Sequence, residues 1–432
     1  MKSGPVRRGG PPAGSGREPG PGPVLGRPVL GPALTALAAV GAGGLVLVVG
    51  LEVAGLDAQA ALAALWRGAF GSWYAFTSAT MVRAVPLIVI GIGFAIAFQG
   101  GALNIGAEGQ FYAGAIAATA VGLEASGSAV PAVVAVPAVL GAATLAGAAW
   151  MVVPVILKLR FGVFEAISTL LLNFVAISLT SFVVLGPLQG AGGIYPQSDQ
   201  LPAAARIPLI PGTRLHWGFL LALVLAPITW LVLRKTLWGF QLRAVGQGPV
   251  AARVAGRIPQ DRILAGALLW SGALAGLAGG MEVGGVSYAL YQNLSPGYGF
   301  TAIAVALLAR LHPWGIVATG VAFGALEAGA GAMQRDAGVP AVTVYAVEAV
   351  VIVVLLLADS LARTRAAAAP ASGVVPVPAP ASASGPGSGP GSGPGSSPSP
   401  GGTATLGPGP GPGPGPGPDS GSDGAGSGDS GR

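Results

Sequence analysis

The chain has 432 residues, 52% hydrophobic and only 9% charged, with a mean hydropathy of +0.70; soluble domains carry roughly 25% charged residues, so much of this surface must face lipid. The absence of cysteine excludes disulfides, thiol chemistry and cysteine metal sites, and His216 and His312 stand too far apart in sequence to suggest a histidine metal cluster. The net charge of +6 does not point to nucleic acid, because the Arg and Lys residues sit at the ends of apolar runs, as membrane orientation requires.

Residues 1–28 are rich in Pro, Gly and Arg and are expected to form a disordered basic segment. Apolar runs then follow at 33–51, 81–99, 104–123, 130–157, 166–186, 216–233, 263–283, 287–310, 313–333 and 340–361. Most approach the roughly 20 residues needed to cross the hydrocarbon. Backbone groups in lipid must be satisfied within the segment, and no period of two suggests a barrel, so these runs are predicted to be helices. The first run is long enough to span and is predicted to be a retained helix rather than a cleaved signal. The expectation is an all-α polytopic membrane protein with about ten transmembrane helices, some broken or re-entrant, and with disordered termini. The membrane domain covers 29–365. Residues 366–432 are a Pro/Gly/Ser-rich tail that cannot build a core and is expected to be dispensable.

Basic residues set the orientation. Lys2, Arg7, Arg8, Arg17 and Arg27 precede the first run, Lys158 and Arg160 follow the fourth, and Arg363 and Arg365 follow the last. Arg234, Lys235, Arg243, Arg253, Arg257 and Arg262 lie between the sixth and seventh. Ten crossings put all four groups, and both termini, in the cytoplasm. An eight-helix arrangement would make two weak runs re-entrant.

Three polar interruptions carry the chemistry. GGALNIGAEGQFYAG at 100–114 places Asn104, Glu108 and Gln110 among glycines. A carboxylate at membrane depth usually faces a cavity or a partner, whereas at a helix start Glu108 would only complement the dipole; the two readings stand level. YQNLSPGYG at 291–299 breaks an apolar stretch with Pro296, Gly297 and Gly299, and supplies Tyr291, Gln292, Asn293 and Tyr298. The loop 234–262 is the longest cytoplasmic connection, and it reads either as an ordinary positive-inside loop or, from its Ala-rich centre after Pro249, as a short helix that docks in a partner's groove. Glu282 is placed near an outer membrane edge, and Glu327 and Glu348 deeper. Gly272, Gly276 and Gly280, and separately Gly320 and Gly324, give small-xxx-small faces for helix packing. The only lysines are Lys2, Lys158 and Lys235, and none follows a phosphate-cradling glycine frame. If ATP drives this protein, another chain binds it.

The run LNIGAEGQ closely resembles the signature of the permeases of branched-chain amino acid, simple-sugar and nucleoside ABC importers. FEAISTLLLNFVAI at 164–177 resembles their NEVISTLMLN-type helix, with Asn173 matching and Phe164 standing where Asn is usual. RAVGQGPVAARVAG at 243–256 resembles their cytoplasmic loop, with Gly248 in place of an Asn. SGALAGLAGGMEVGG at 271–285 and LSPGYGFTAIAVALLARLHPWG at 294–315 extend the likeness in family order. With PQSDQLP at 196–202, the wording is most similar to the longer permease of nucleoside importers that work with a basic-membrane-protein lipoprotein.

The resemblance implies a bacterial plasma membrane transport subunit rather than an enzyme. It implies a second permease subunit, a tandem-cassette ATPase that holds the ATP, a substrate-binding lipoprotein and surrounding membrane lipid, with no nucleic acid. Asn104, Glu108, Gln110, Asn173, Gln292, Asn293 and Tyr298 are the expected substrate path. Arg243, Ala244, Gly246, Pro249, Ala252, Arg253 and Gly256 are the expected coupling loop to the ATPase. Simple sugars or branched-chain amino acids are the alternative substrates. An ion-coupled secondary transporter is the other class, but it would show inverted internal repeats.

Overall fold

The computed structural model describes residues 41, 44–45, 47–53, 55–126, 130–254 and 258–340, with scattered positions between 346 and 357. The two terminal segments, Glu348, Gly256 and most of the run 340–361 lie outside the described residues. Described positions from 41 to 53 are helical, and residues 55–57 lead into α1, Ala58–Phe70. Asp57 caps α1 by accepting the Ala60 N–H at 2.9 Å. α2 is Trp73–Gln99, α3 Ala107–Glu124, α4 Ala132–Phe161 and α5 Glu165–Leu185. α6 is Gly218–Lys235, α7 Leu237–Gln247, α8 Pro249–Val254 and α9 Gln260–Ser287. α10 is Tyr298–Leu308 and α11 Pro313–Asp336. Among the described residues there is no β-sheet, only two isolated bridges, and six helices are long and apolar enough to cross a membrane: α2, α4, α5, α6, α9 and α11.

Local chemistry explains most boundaries. α4 ends where Gly162 turns left-handed at φ +67° and its N–H reaches the Lys158 carbonyl, while Lys158 and Arg160 complement the helix C-terminus. Thr236 caps α7 through the Gly239 N–H. Pro313 opens α11, where its missing N–H costs nothing. α1 falls outside the predicted runs: it is too short to span and carries Arg67, so the hydropathy pattern passes over it.

The centre of the fold is α9, which packs against α2, α3 and α4. The approach is backbone to backbone. A Cβ on Gly276 would sit 2.3 Å from the Ala143 carbonyl oxygen, and one on Gly114 would sit 2.2 Å from the Gly276 oxygen. Without a hydrophobic drive between helices in lipid, such close van der Waals contact is what binds them. The Gly320 and Gly324 face likewise seats α11 on Ile88 and on the Thr80–Ala84 turn of α2. By contrast, α4, α5 and α6 leave rows of large apolar side chains exposed, among them Leu145, Phe174, Phe182 and Ile228, as a lipid-facing surface does.

The run 287–310 is not one continuous span. Tyr288 takes φ +57°, Gly297 takes φ +106°, and Pro296 lacks an N–H, so residues 288–297 form turns. Only α10 follows. Its 11 residues rise about 16 Å at ~1.5 Å each, half of a hydrocarbon core of ~30 Å. The run 104–123 also starts late, because Gly101 at φ +82° and the irregular residues 102–105 precede α3.

Candidate functional site

A cavity of about 510 Å³ opens between α2, α9, α11, the 288–297 turns, the start of α10 and the 209–214 loop. Two π-helical turns border it: Phe76–Thr80 within α2 supplies Ser78, and Val283–Ser287 within α9 supplies Gly285 and Val286. Such single π-turns often mark functional sites, since the extra residue re-aims neighbouring side chains. Arg83, Arg214, Glu282 and Glu327 bring two positive and two negative charges to the wall, and Tyr288, Tyr291 and Tyr298 bring aromatic surface. The lining is therefore polar, aromatic and balanced in formal charge.

Tyr288 is held in a sparsely populated backbone conformation, and two contacts hold it there. The Arg206 guanidinium lies 4.7 Å from its ring centroid, and the Tyr288 carbonyl accepts the Leu201 N–H at 2.8 Å. Arg206 Nε in turn donates to the Leu201 carbonyl at 2.8 Å, which closes the clamp.

Arg83 uses Nη1 on the Ala79 carbonyl at 3.3 Å. Among the described residues the one ion pair within 4.0 Å joins Lys158 to Glu165, well away from the cavity wall. Arg83 and Glu282 thus face the same space without touching.

The unwound segment before α3 is held by a polar stripe on α5. Glu165, Thr169 and Asn173 repeat every four residues and so share one helix face. Glu165 Oε1 accepts the Leu103 N–H at 3.2 Å, Thr169 Oγ1 the Ile105 N–H at 3.3 Å, and Asn173 Oδ1 the Gly109 N–H at 2.8 Å. Asn173 Nδ2 returns a bond to the Ile105 carbonyl at 2.9 Å. Irregular backbone is tolerated inside a membrane protein only where protein satisfies it, and this stripe does so.

Four of the residues expected on the substrate path form this buried support instead of the cavity wall. Asn104 Nδ2 donates to Gln110 Oε1 at 2.8 Å and to Ser271 Oγ at 2.9 Å, and Asn104 Oδ1 accepts the Gly106 N–H at 2.9 Å. Gln110 Nε2 closes the pair on Asn104 Oδ1 at 3.1 Å. Glu108 reaches the backbone of Gly299, and Asn173 belongs to the stripe. Gln292 is half-buried and Asn293 exposed, both off the wall. Tyr298 is the expected path residue that does line the cavity.

Arg83 is not among the expected path residues. An arginine inside an apolar run is costly enough to mark a functional site, but it was absorbed into the run 81–99.

On the expected coupling loop, Pro249 and Arg253 are exposed, Arg243, Ala244 and Gly246 are half-buried, and Ala252 is buried at 5% exposure. Ala252 thus packs inward, because a six-residue helix lying on the body must turn one face down. Its outward face is Val250 and Val254, one turn apart and 74% and 82% exposed. Arg243 Nη1 is buried and has no hydrogen-bond partner among the described residues.

Residues 76–358 match the family described as branched-chain amino acid transport system / permease component. The chain is 36% identical over 343 residues to a glucose ABC transporter permease protein of Haloferax volcanii, covering 77% of this chain and 88% of that one. It is 36% identical over 338 residues to a guanosine ABC transporter permease protein of Bacillus subtilis, covering 77% and 94%. A nucleoside ABC transporter permease protein of Lactococcus lactis is 32% identical over 279 residues, covering 62% and 75%. No solved structure matches.

Proposed function

Because the chain belongs to the branched-chain amino acid transport system permease family, we propose that it is the membrane-crossing subunit of an ATP-driven nucleoside importer and that the cavity between α2, α9 and α11 carries the substrate. It is a transport component and not an enzyme. The observation that carries the substrate class is the lining itself: three tyrosines beside two Arg and two Glu. Balanced charge favours a neutral solute over an anion, and aromatic walls suit a planar base. The names of the guanosine and nucleoside relatives support the same class.

The ATP is bound by a partner ATPase of tandem-cassette type, and a second permease and a substrate-binding lipoprotein complete the importer in a bacterial plasma membrane. The ATPase docks on α7 and α8, with both chain termini on the same cytoplasmic side. Three contacts would carry its movement inward. A Cβ on Gly246 would meet the Gln99 carbonyl oxygen at 2.0 Å, so α7 rests directly on the end of α2. Gln99 Nε2 donates to the Leu311 carbonyl at 3.0 Å, at the turn after α10. From Gly101 the unwound segment leads to Glu108 and so to the start of α10, where Tyr298 lines the cavity. Asn104, Gln110 and Asn173 then serve the path by shaping it.

The test is uptake of labelled guanosine, adenosine and uridine by a strain lacking this gene and by the complemented strain. Loss on deletion, recovery on complementation and competition by unlabelled nucleosides are expected. A second reading, a simple-sugar permease, is favoured by the Haloferax volcanii relative. Competition by glucose with none by nucleosides would establish that reading and overturn ours.

A further inference from the structure

The cavity holds an unclosed pair of opposite charges. Glu282 is only 7% exposed, lines the cavity, and its carboxylate accepts no hydrogen bond among the described residues. Arg83 lines the same space and commits one of its five N–H groups, on Nη1, to Ala79. The two are not within ion-pair distance of each other. A buried carboxylate left unpaired is costly, and a gap between it and a guanidinium is a slot that a solute with both donors and acceptors would complete.

We propose that Arg83 and Glu282 together read the base of a 6-oxopurine nucleoside. The inference rests on the nucleoside reading of this cavity given above. Guanine presents two donors, N1–H and N2–H₂, side by side, and a carboxylate accepts both at once. On the adjoining edge it presents two acceptors, O6 and N7, which match a guanidinium fork. Adenine offers only an acceptor, N1, beside a carbon-bound hydrogen where guanine offers two donors, and a donor beside an acceptor where guanine offers two acceptors. It leaves the carboxylate without a donor and one arm of the guanidinium fork unused. Hypoxanthine keeps the O6 and N7 acceptors and N1–H but lacks the 2-amino group, so inosine ranks between guanosine and adenosine. Tyr291, on the turns that border the same slot, and Tyr298, at the start of α10, supply faces for the purine plane. Glu327 and Arg214 stand on the wall as well.

The experiment is a cycle between protein and ligand in cells carrying the whole importer. Uptake of labelled guanosine is competed with unlabelled guanosine, N1-methylguanosine, inosine and adenosine, for wild type and for Glu282→Gln. N1-methylguanosine cannot donate from N1, so in wild type it should compete on the order of tenfold more weakly than guanosine, the loss expected for a hydrogen bond to a charged group. In Glu282→Gln that ratio should shrink towards one. The substrate-binding lipoprotein is the same in both strains, so the change in ratio belongs to this chain. Arg83→Lys removes the fork and should cost guanosine more than 2-aminopurine riboside, which lacks O6.

An unchanged ratio in Glu282→Gln overturns the proposal while leaving nucleoside transport in place. Equal competition by guanosine and N1-methylguanosine in wild type overturns it without any variant, should the variants fail to reach the membrane. If no nucleoside is taken up and a zwitterionic amino acid enters instead, in a manner needing both Arg83 and Glu282, the nucleoside reading itself fails and this inference with it.

Discussion

The Glu108 carboxylate accepts the Gly299 N–H at 2.7 Å, joining the first turn of α3 to the first turn of α10 across 191 residues of sequence. Gly299 has no room for a side chain: a Cβ there would lie 2.3 Å from the Glu108 nitrogen. Ser295 supports the junction, its Oγ accepting the Gly297 and Tyr298 N–H groups at 3.0 Å each. Two broken helices therefore start against one another, directly behind the cavity wall.

Glu108→Ala strands the Gly299 N–H in a buried site, which costs about 1–3 kcal/mol. Thermal unfolding of the purified permease should fall by several degrees, and nucleoside uptake should fall with it. Glu108→Gln keeps a carbonyl acceptor and should retain most of the stability. Equal unfolding temperatures for wild type and Glu108→Ala would show that the junction does not hold the helices.

Asn173→Leu removes the partner of both the Gly109 N–H and the Ile105 carbonyl. Two buried groups are then unsatisfied, so the loss should exceed that of Thr169→Val, which frees only one at a longer 3.3 Å contact. Denaturation of both variants in detergent gives the order. A larger loss for Thr169→Val would count against the stripe as the support of the unwound segment.

Gly276→Val drives a branched side chain into Ala143 and Gly147 of α4. Overpacking of this kind costs roughly 1–3 kcal/mol, and more where backbone cannot shift. The variant should reach the membrane at reduced levels and unfold earlier. Gly141, whose Cβ would meet nothing within 4 Å, is the control and should accept Val with little change.

Tyr288→Gly separates stability from transport. A non-glycine residue at φ +57° carries backbone strain that glycine does not. The variant should unfold no earlier than wild type by more than ~1 kcal/mol, the size of the lost ring contact with Arg206. Uptake should nevertheless drop, through loss of a cavity wall. Normal uptake would remove Tyr288 from the substrate site.

Val254→Glu places a charge on the outward face of α8 and should abolish co-purification of the ATPase without changing thermal stability, because Val254 touches little of this chain. Ala252→Trp acts differently. Ala252 is buried, so the bulk should destabilise the permease itself before any partner is involved. If Val254→Glu retains normal assembly and transport, the ATPase contact lies elsewhere.

Composition and hydropathy alone determined that this is a helical membrane protein, and they placed six described membrane-capable helices to within a few residues at most ends. The polar interruptions at 100–114 and 291–299 were legible too, and non-helical backbone falls within each, because glycine and proline act on their own backbone whatever surrounds them. The roles of the polar residues near those breaks were not legible in the same way. Asn104, Gln110 and Asn173 look in sequence like a ligand site, yet each spends its hydrogen bonds on neighbouring side chains and on backbone that the break released. The cavity draws Ser78, Arg83, Arg214, Glu282 and Gln334 from segments up to 256 residues apart, and it exists only because glycine seams bring those segments together. A side chain's local pattern states what it can donate or accept, but which partner it meets is decided by tertiary packing, where the cost of an unmet polar group in a non-aqueous interior sorts support from site.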